Sequence, residues 1–357
     1  MAARVPAASC TRTRRGLPPI RTIAPDGRTA SRCVAGSSRR PQRLPTSGRR
    51  CRHEDFPRGI VKPAASHFVD IRGERHHVLT WGRPEAPKLF LLHGWMDVGA
   101  SFQFLVDALA RDWHAIAPDL RGFGRSAWQP QGYWFQDYVA DLEALLAHFA
   151  PDEQVNLVGH SLGGNIVMHY AGARPQRVRR VVSLDGFGIP AEAPADAPRK
   201  LAAWLDALAR PPDFRPYASI AAVADRLQKN NPRLPRDKAD FLAAHWATTL
   251  PDGRAQLVSD PRHKLPFATV YRMEEVFAIW RNIVAPVLWV AAADSHIPRW
   301  LGGHPEGEIG TDGLDGVRRR LGHVPDGRLH TVADAGHMLH HDQPAAVAGL
   351  IEAFVAA

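Results

Sequence analysis

Beyond residue 51 the chain has no cysteine, its three thiols being Cys10, Cys33 and Cys51. That absence excludes a disulfide framework, a Cys-ligated zinc and a cysteine nucleophile from the rest of the chain, and it permits a reducing compartment. Long hydrophobic runs are missing as well. The longest stretch free of charge and strong polarity, Ile283 to Ala293, is interrupted by Pro286, well short of the roughly 20 residues a helix needs to span a bilayer. Acid is scarce in one region: residues 1 to 63 hold 15 Lys+Arg against only Asp26, Glu54 and Asp55, while the rest of the chain holds 30 against 33. The formal charge of +9 therefore belongs to a tail, and the remainder is slightly acidic.

That tail, residues 1 to 63, is rich in Arg, Pro, Ser and Gly and has no apolar periodicity, so it reads as a disordered basic segment that cannot offset its ordering entropy by burial. It lacks the apolar core of a secretory signal, which points to a cytoplasmic protein, although its Arg and Ser content is shared with organelle transit peptides. A polybasic arm for nucleic acid or anionic lipid is a third reading. The composition favours a passive extension over either, and nucleic acid is not an expected partner.

From residue 64 the chain alternates strands with helices. HFVDIRG and HHVLTWG read as a short antiparallel pair, KLFLLHG as an apolar strand, and Ala100 to Asp112 as an amphipathic helix. WHAIAPD, QVNLVGH, VRRVVSLD, APVLWVAAAD and RLHTVADAG are further strands, with helices between them. This rhythm predicts a mostly parallel central sheet with helices on both faces. The stretch from Gly186 to Asn282 breaks it, with helical patterns punctuated by Pro and no convincing strand. The expected organisation is a core of residues 64–185 and 283–357 carrying a helical lid, residues 186–282, over the carboxyl edge of the sheet.

Three motifs carry chemistry. Gly159-His160-Ser161-Leu162-Gly163 matches the G-x-S-x-G nucleophile elbow between an apolar strand and a helix. A sharp turn there strains the Ser backbone, and small residues on either side let strand and helix pass closely. Leu91 to Asp97 ends the third strand in an H-G turn. An oxyanion hole needs an N–H from the residue after the nucleophile and one from this turn, which by position are Leu162 and Trp95. His93 precedes the Ser and reads as a structural, hydrogen-bonded residue. The third motif is Asp119-Leu120-Arg121-Gly122-Phe123-Gly124-Arg125-Ser126.

With these motifs in this order, and Gly336-His337-Met338 near the end, the chain resembles the α/β-hydrolase fold superfamily over roughly residues 66 to 357. The resemblance implies a catalytic core with a helical cap, and a structural role for the Asp119 to Ser126 loop, so Asp119 and Arg121 receive no chemistry. A Ser nucleophile in this fold is followed by an acid and then a His. His337, after the last strand, is the expected base. The acid is expected at Asp294, after the strand that follows the lid, with Asp185 as its rival; the family commonly has Gly where this chain has Ala291. His340, His341 and Asp342 invite a metal reading, but three sequence neighbours alone seldom converge on an ion, so neither metal nor cofactor is expected.

The chemistry that fits is hydrolysis of a carboxylic ester of an apolar small molecule through an acyl-enzyme on Ser161. Epoxide hydrolases and haloalkane dehalogenases share the motif set but need a carboxylate at the elbow, and the Pro usual two residues beyond H-G in epoxide hydrolases is Met96 here. Cofactor-independent carbon–carbon bond hydrolysis uses the same triad and stays open, as does a binding protein on a hydrolase scaffold. Trp204, Leu205, Leu208, Phe214, Phe241 and Trp246 give the lid an apolar surface that suits an acyl or alkyl group.

Overall fold

Strand side chains point alternately to opposite faces of a sheet, and here both faces are apolar. The structure, a computed structural model, describes residues 61–302 and 314–357. The chain runs through β1 (Ala65–Ile71), β2 (Glu74–Trp81), β3 (Lys88–Leu92), α1 (Gln103–Ala108), β4 (His114–Pro118), α2 (Phe135–Phe149), β5 (Val155–His160), α3 (Leu162–Ala173) and β6 (Val178–Leu184). Then come α4 (Ala197–Ala209), α5 (Ile220–Asn230), α6 (Arg236–Trp246), β7 (Ala247–Thr249), β8 (Ala255–Leu257) and α7 (Met273–Arg281). It closes with β9 (Val287–Ala292), α8 (Ile297–Gly302), α9 (Asp315–Leu321), β10 (Gly327–Val332), α10 (Leu339–Asp342) and α11 (Pro344–Ala356).

Eight strands form one sheet in the order β1-β2-β4-β3-β5-β6-β9-β10. β1 and β2 pair antiparallel, as does β2 with β4, and every later pairing is parallel. Phe90, Leu157, Val181 and Trp289 enter one buried cluster with residues of α2, α3, α7 and α9. Their strand neighbours Leu89, Leu91, Val158, Val182 and Val290 enter another with α1 and α11. A sheet covered on both faces needs apolar runs rather than alternation, which is why LFLL and VLWVAA read as continuous hydrophobic strands. Trp289 is wholly buried between Phe187 and Trp280, with ring centroids 5.1 and 5.3 Å away.

After β3 the chain steps outward to β4, and it then returns to the other side of β3 as β5. That reversal opens a crevice at the carboxyl ends of β3 and β5, where open α/β sheets hold ligands. Between β6 and β9 no strand joins the main sheet, and α5, α6 and the β7-β8 hairpin share a small core of their own around Val223, Leu227 and Leu242. This hairpin is a difference from the sequence expectation, which placed no strand there. α7 differs too: the expected lid ran to residue 282, but Val276 and Trp280 of α7 are buried in the same cluster as Trp289. The helix expected over Ala100 to Asp112 is a 3-10 turn, Gly99–Phe102, followed by only six helical residues.

Most of the basic tail lies outside the described residues. Lys62, at its inner end, is already tied down: its main-chain N–H donates to Asp107 Oδ1 at 2.8 Å, and Nζ donates to the carbonyl of Val106 at 3.0 Å. Among the described residues no helix is long and apolar enough to cross a membrane.

Candidate active site

Ser161 sits between β5 and α3 with φ 52° and ψ −110°, the strained backbone expected of an elbow. The two flanking glycines are sterically required. A Cβ on Gly159 would lie 2.2 Å from the Gly163 carbonyl carbon, and one on Gly163 would lie 2.0 Å from the Leu92 carbonyl oxygen. Ser161 N–H donates to the Leu184 carbonyl at 2.9 Å, and its own carbonyl accepts from Asn165 N–H at 3.1 Å, so the serine caps α3 while remaining anchored to β6.

His337 follows β10 and reaches back to the elbow. Its Nε2 lies 3.1 Å from Ser161 Oγ. Its Nδ1 lies 2.7 Å from Asp185 Oδ2. Asp185, directly after β6, has φ 52° and a wholly buried side chain. Ser295 O–H donates to the same Oδ2, and Ala292 N–H to Oδ1 at 3.4 Å. This corrects the sequence expectation that Asp294 faces the base. Asp294 does follow β9, but its carboxylate is 51% exposed and is held by Arg233 Nη2. The left-handed turn at Asp185 aims its carboxylate along the carboxyl edge of the sheet toward His337. Order along the chain could not separate the two candidates; the direction of the Asp185 side chain does.

The turn after β3 passes over the serine. A Cβ on Gly94 would stand 3.3 Å from Ser161 Cβ, and Gly163 N–H donates to the His93 carbonyl at 3.1 Å. Leu162 opens α3, where first-turn N–H groups have no partner within the helix. Trp95 lies at the rim of the crevice, half exposed. His93 itself is buried: Nδ1–H donates to the Gly94 carbonyl at 2.7 Å, and Nε2 accepts from Leu120 N–H at 2.9 Å. Burial, outweighing the nearby Asp119 charge, pushes its pKa down to about 4, so a neutral ring braces the turn. Asp119 accepts from His77 Nδ1, Gly99 N–H and Arg125 N–H, and Arg121 is paired with Asp141, all within the loop and its supports.

His160, the residue before the serine, is wholly buried and lies against both His337 and His340, with ring centroids 4.7 and 4.5 Å away. Burial, reinforced by His337, holds its pKa well below the ordinary imidazole range. His296 also faces His337, at 5.4 Å.

An apolar cavity of about 80 Å³ meets the site at Trp95 and Leu162 and is walled by Tyr133, Trp134, Phe135, Trp204, His263 and Phe267. It shares Trp134, Phe135, Leu162 and Phe267 with a more open groove of about 1030 Å³ that runs along α2, α3 and α7. Of the aromatic and aliphatic residues expected to line a substrate pocket, only Trp204 does so. Leu205 and Leu208 are exposed, Phe214 is buried beneath Lys264, Phe241 packs on Phe104, and Trp246 donates from Nε1 to Asp97 Oδ1 at 3.0 Å. The aromatic run Tyr133-Trp134-Phe135 was the available signal for the rest.

Asp342 does not join His340 and His341. Its carboxylate instead accepts from Asn231 Nδ2 at 2.6 Å and from Gly336 N–H at 2.8 Å.

A family model described as alpha/beta hydrolase fold matches residues 87–344. The chain is 28% identical to a serine hydrolase-like protein of Danio rerio over 253 residues, covering 67% of this chain and 75% of that protein. It is 31% identical to a 3-hydroxybutyrate-oligomer hydrolase of Cupriavidus necator over 230 residues, covering 61% of this chain and 76% of the other. Among solved structures, E-2-(acetamidomethylene)succinate hydrolase superposes with a TM-score of 0.64 at 25% identity, over 83% of this chain and all of that one.

Proposed function

The chain belongs to the alpha/beta hydrolase fold family, and within that family we propose that it is a serine hydrolase cleaving a carboxylic ester of an apolar small molecule. The observation that carries this reading is one continuous chain of hydrogen bonds: Ser161 Oγ at 3.1 Å from His337 Nε2, and His337 Nδ1 at 2.7 Å from Asp185 Oδ2. Ser161 Oγ attacks the ester carbonyl as His337 Nε2 takes its proton. Asp185, accepting from Nδ1–H, fixes the tautomer that leaves Nε2 free as the base. The main-chain N–H groups of Trp95 and Leu162 hold the developing oxyanion, and His337 then returns the proton to the leaving alcohol. Water enters by the same route in reverse and frees the acid. The aromatic wall of Tyr133, Trp134, Phe135 and Phe267 suits an apolar acyl or alkyl group. The relationship to a hydrolase of 3-hydroxybutyrate oligomers supports the reaction class.

The test is covalent. A fluorophosphonate probe should label one serine of the full-length protein, and Ser161→Ala should abolish both labelling and turnover of p-nitrophenyl esters while the circular dichroism spectrum is kept. Labelling that survives the substitution would overturn the assignment.

A further inference from the structure

Behind the turn that carries Trp95, a second set of polar side chains is buried out of reach of solvent. Asp97, His340 and His341 are 2%, 0% and 2% exposed. One ligand atom from each lies within 4.8 Å of the others. Asp97 Oδ1 is fully engaged, accepting from Val98 N–H at 2.9 Å, from Ser101 O–H and from Trp246 Nε1–H at 3.0 Å. Among the described residues Asp97 Oδ2 has no hydrogen-bond partner, and neither has Nδ1 or Nε2 of His340. A buried polar atom left bare costs about 1–3 kcal/mol, and native interiors rarely tolerate several together.

We propose that Asp97, His340 and His341 supply three ligands of a buried binding site for one divalent transition-metal ion of the zinc or cobalt class, with a water as the fourth. The donor set of one carboxylate and two imidazoles suits those borderline ions rather than calcium or magnesium, which take mainly oxygen ligands. Around a tetrahedral ion, with bonds of about 2.0–2.1 Å, ligand atoms stand about 3.3 Å apart, nearer than the 4.8 Å that encloses these three, so binding draws the ligands together. Ser101 Oγ, bonded to Asp97 and 3.1 Å from His341 Nε2, already ties two of the ligands together, as outer partners of metal ligands do. Lys238, whose Nζ donates to the His341 carbonyl at 2.9 Å, carries charge of the same sign as the ion, and the Asp97 carboxylate is the one anionic ligand that offsets it.

The placement gives the ion a structural role. Asp97 belongs to the turn after β3 and His340 to the one-turn helix after His337, so the ion clamps together the two loops that flank the elbow. This inference stands apart from the ester reading, because its readout is metal binding and not turnover. Full-length protein stripped with a chelator is incubated for hours with Co²⁺, then followed by visible absorption and equilibrium dialysis. Expected are one saturating equivalent, a ligand-field band, and a rise in melting temperature. Asp97→Asn and His340→Phe should each lower the affinity at least tenfold, while His330→Ala, at an exposed histidine, should leave it unchanged. If Asp97→Asn fails to fold by circular dichroism, His340→Phe decides, since Phe fills a similar volume against Phe102, whose ring centroid is 5.3 Å away. No saturable equivalent, or binding that survives His340→Phe, overturns the proposal and leaves a buried water as the partner of these atoms.

Discussion

His160 Nε2–H donates to the main-chain carbonyl of His337 at 2.8 Å. The residue before Ser161 therefore holds the backbone of the residue proposed as its base, across 177 positions of sequence. Burial, reinforced by His337, holds the His160 pKa well below the ordinary imidazole range, which favours donation from a neutral ring protonated on Nε2. His160→Phe removes the donor while keeping a ring in place. It should lower kcat on p-nitrophenyl esters by roughly tenfold, the equivalent of about one hydrogen bond, with KM little changed. A normal kcat would show that His337 is held by other contacts.

Asp185→Asn should cost on the order of 10⁴ in kcat, the scale seen when the orienting acid of a serine triad is lost. Asp294→Asn should cost less than threefold by the same ester assay, because its carboxylate faces solvent and Arg233. The reverse ranking would restore Asp294 as the acid.

Two glycine substitutions should act in opposite directions. Gly163→Ala forces a Cβ to 2.0 Å from a main-chain oxygen and should prevent folding or lower the melting temperature steeply. At Gly349, inside α11, a Cβ meets nothing within 4 Å, so Gly349→Ala should stabilise by about 0.5–1 kcal/mol. Thermal melts of the two variants beside the parent check both signs.

The Arg121–Asp141 pair is buried on both sides. Removing Asp141 leaves the buried guanidinium with the longer Asp137 contact, 3.8 Å, in place of its close hydrogen-bonded partner, so Asp141→Ala should cost about 3 kcal/mol in denaturant unfolding. Burial opposes the charge on Asp141, but hydrogen bonds from His76 and Arg121 outweigh it and hold its pKa below the ordinary carboxylate value. Asp119 is depressed in the same way, burial being overcome by His77 and the Arg125 N–H. A folded-state pKa below the unfolded value gives stability that is complete above the ordinary carboxylate pKa, about 3.9, and is lost as pH falls through the lowered one. The melting temperature should therefore begin to fall below about pH 6.5, where unfolding lets the buried neutral His93 and His160 bind protons, and fall further below pH 4 as the carboxylates protonate, this last part more steeply in the parent than in Asp141→Ala.

The approach of Ser161 and His337, 3.1 Å apart, was legible in the sequence because each is marked by local pattern: glycines that steric contact requires, and a strand ending in a turn. Asp185 and Asp294 both follow apolar strands, and only the three-dimensional direction of a left-handed turn separates them. The β7-β8 hairpin carried a readable signal, Leu250-Pro251-Asp252-Gly253-Arg254, a turn sequence whose Gly253 adopts φ 84°, but its three-residue strands are too short to show alternation. Six aromatic and aliphatic residues of the expected lid were read as a pocket from composition, whereas packing sent Phe241 to Phe104 and left Trp204 as the one of the six at the cavity, beside the unanticipated Phe267. Nothing in sequence joins Asp97 to His340, because folding alone brings them together.

In the register of β5 with β6, His160 lies opposite Leu184, so Ser161 and Asp185 are each the first residue beyond a paired strand end. The distance between the proposed nucleophile and acid is set by the spacing of two neighbouring strands, and it is complete before the chain departs for residues 186–286. An acid at Asp294 would have sat downstream of that departure, its position dependent on how the long excursion returned. With the acid upstream, the excursion is an exchangeable part: it can be lengthened, shortened or replaced, altering what enters the crevice, without displacing either carboxylate or serine.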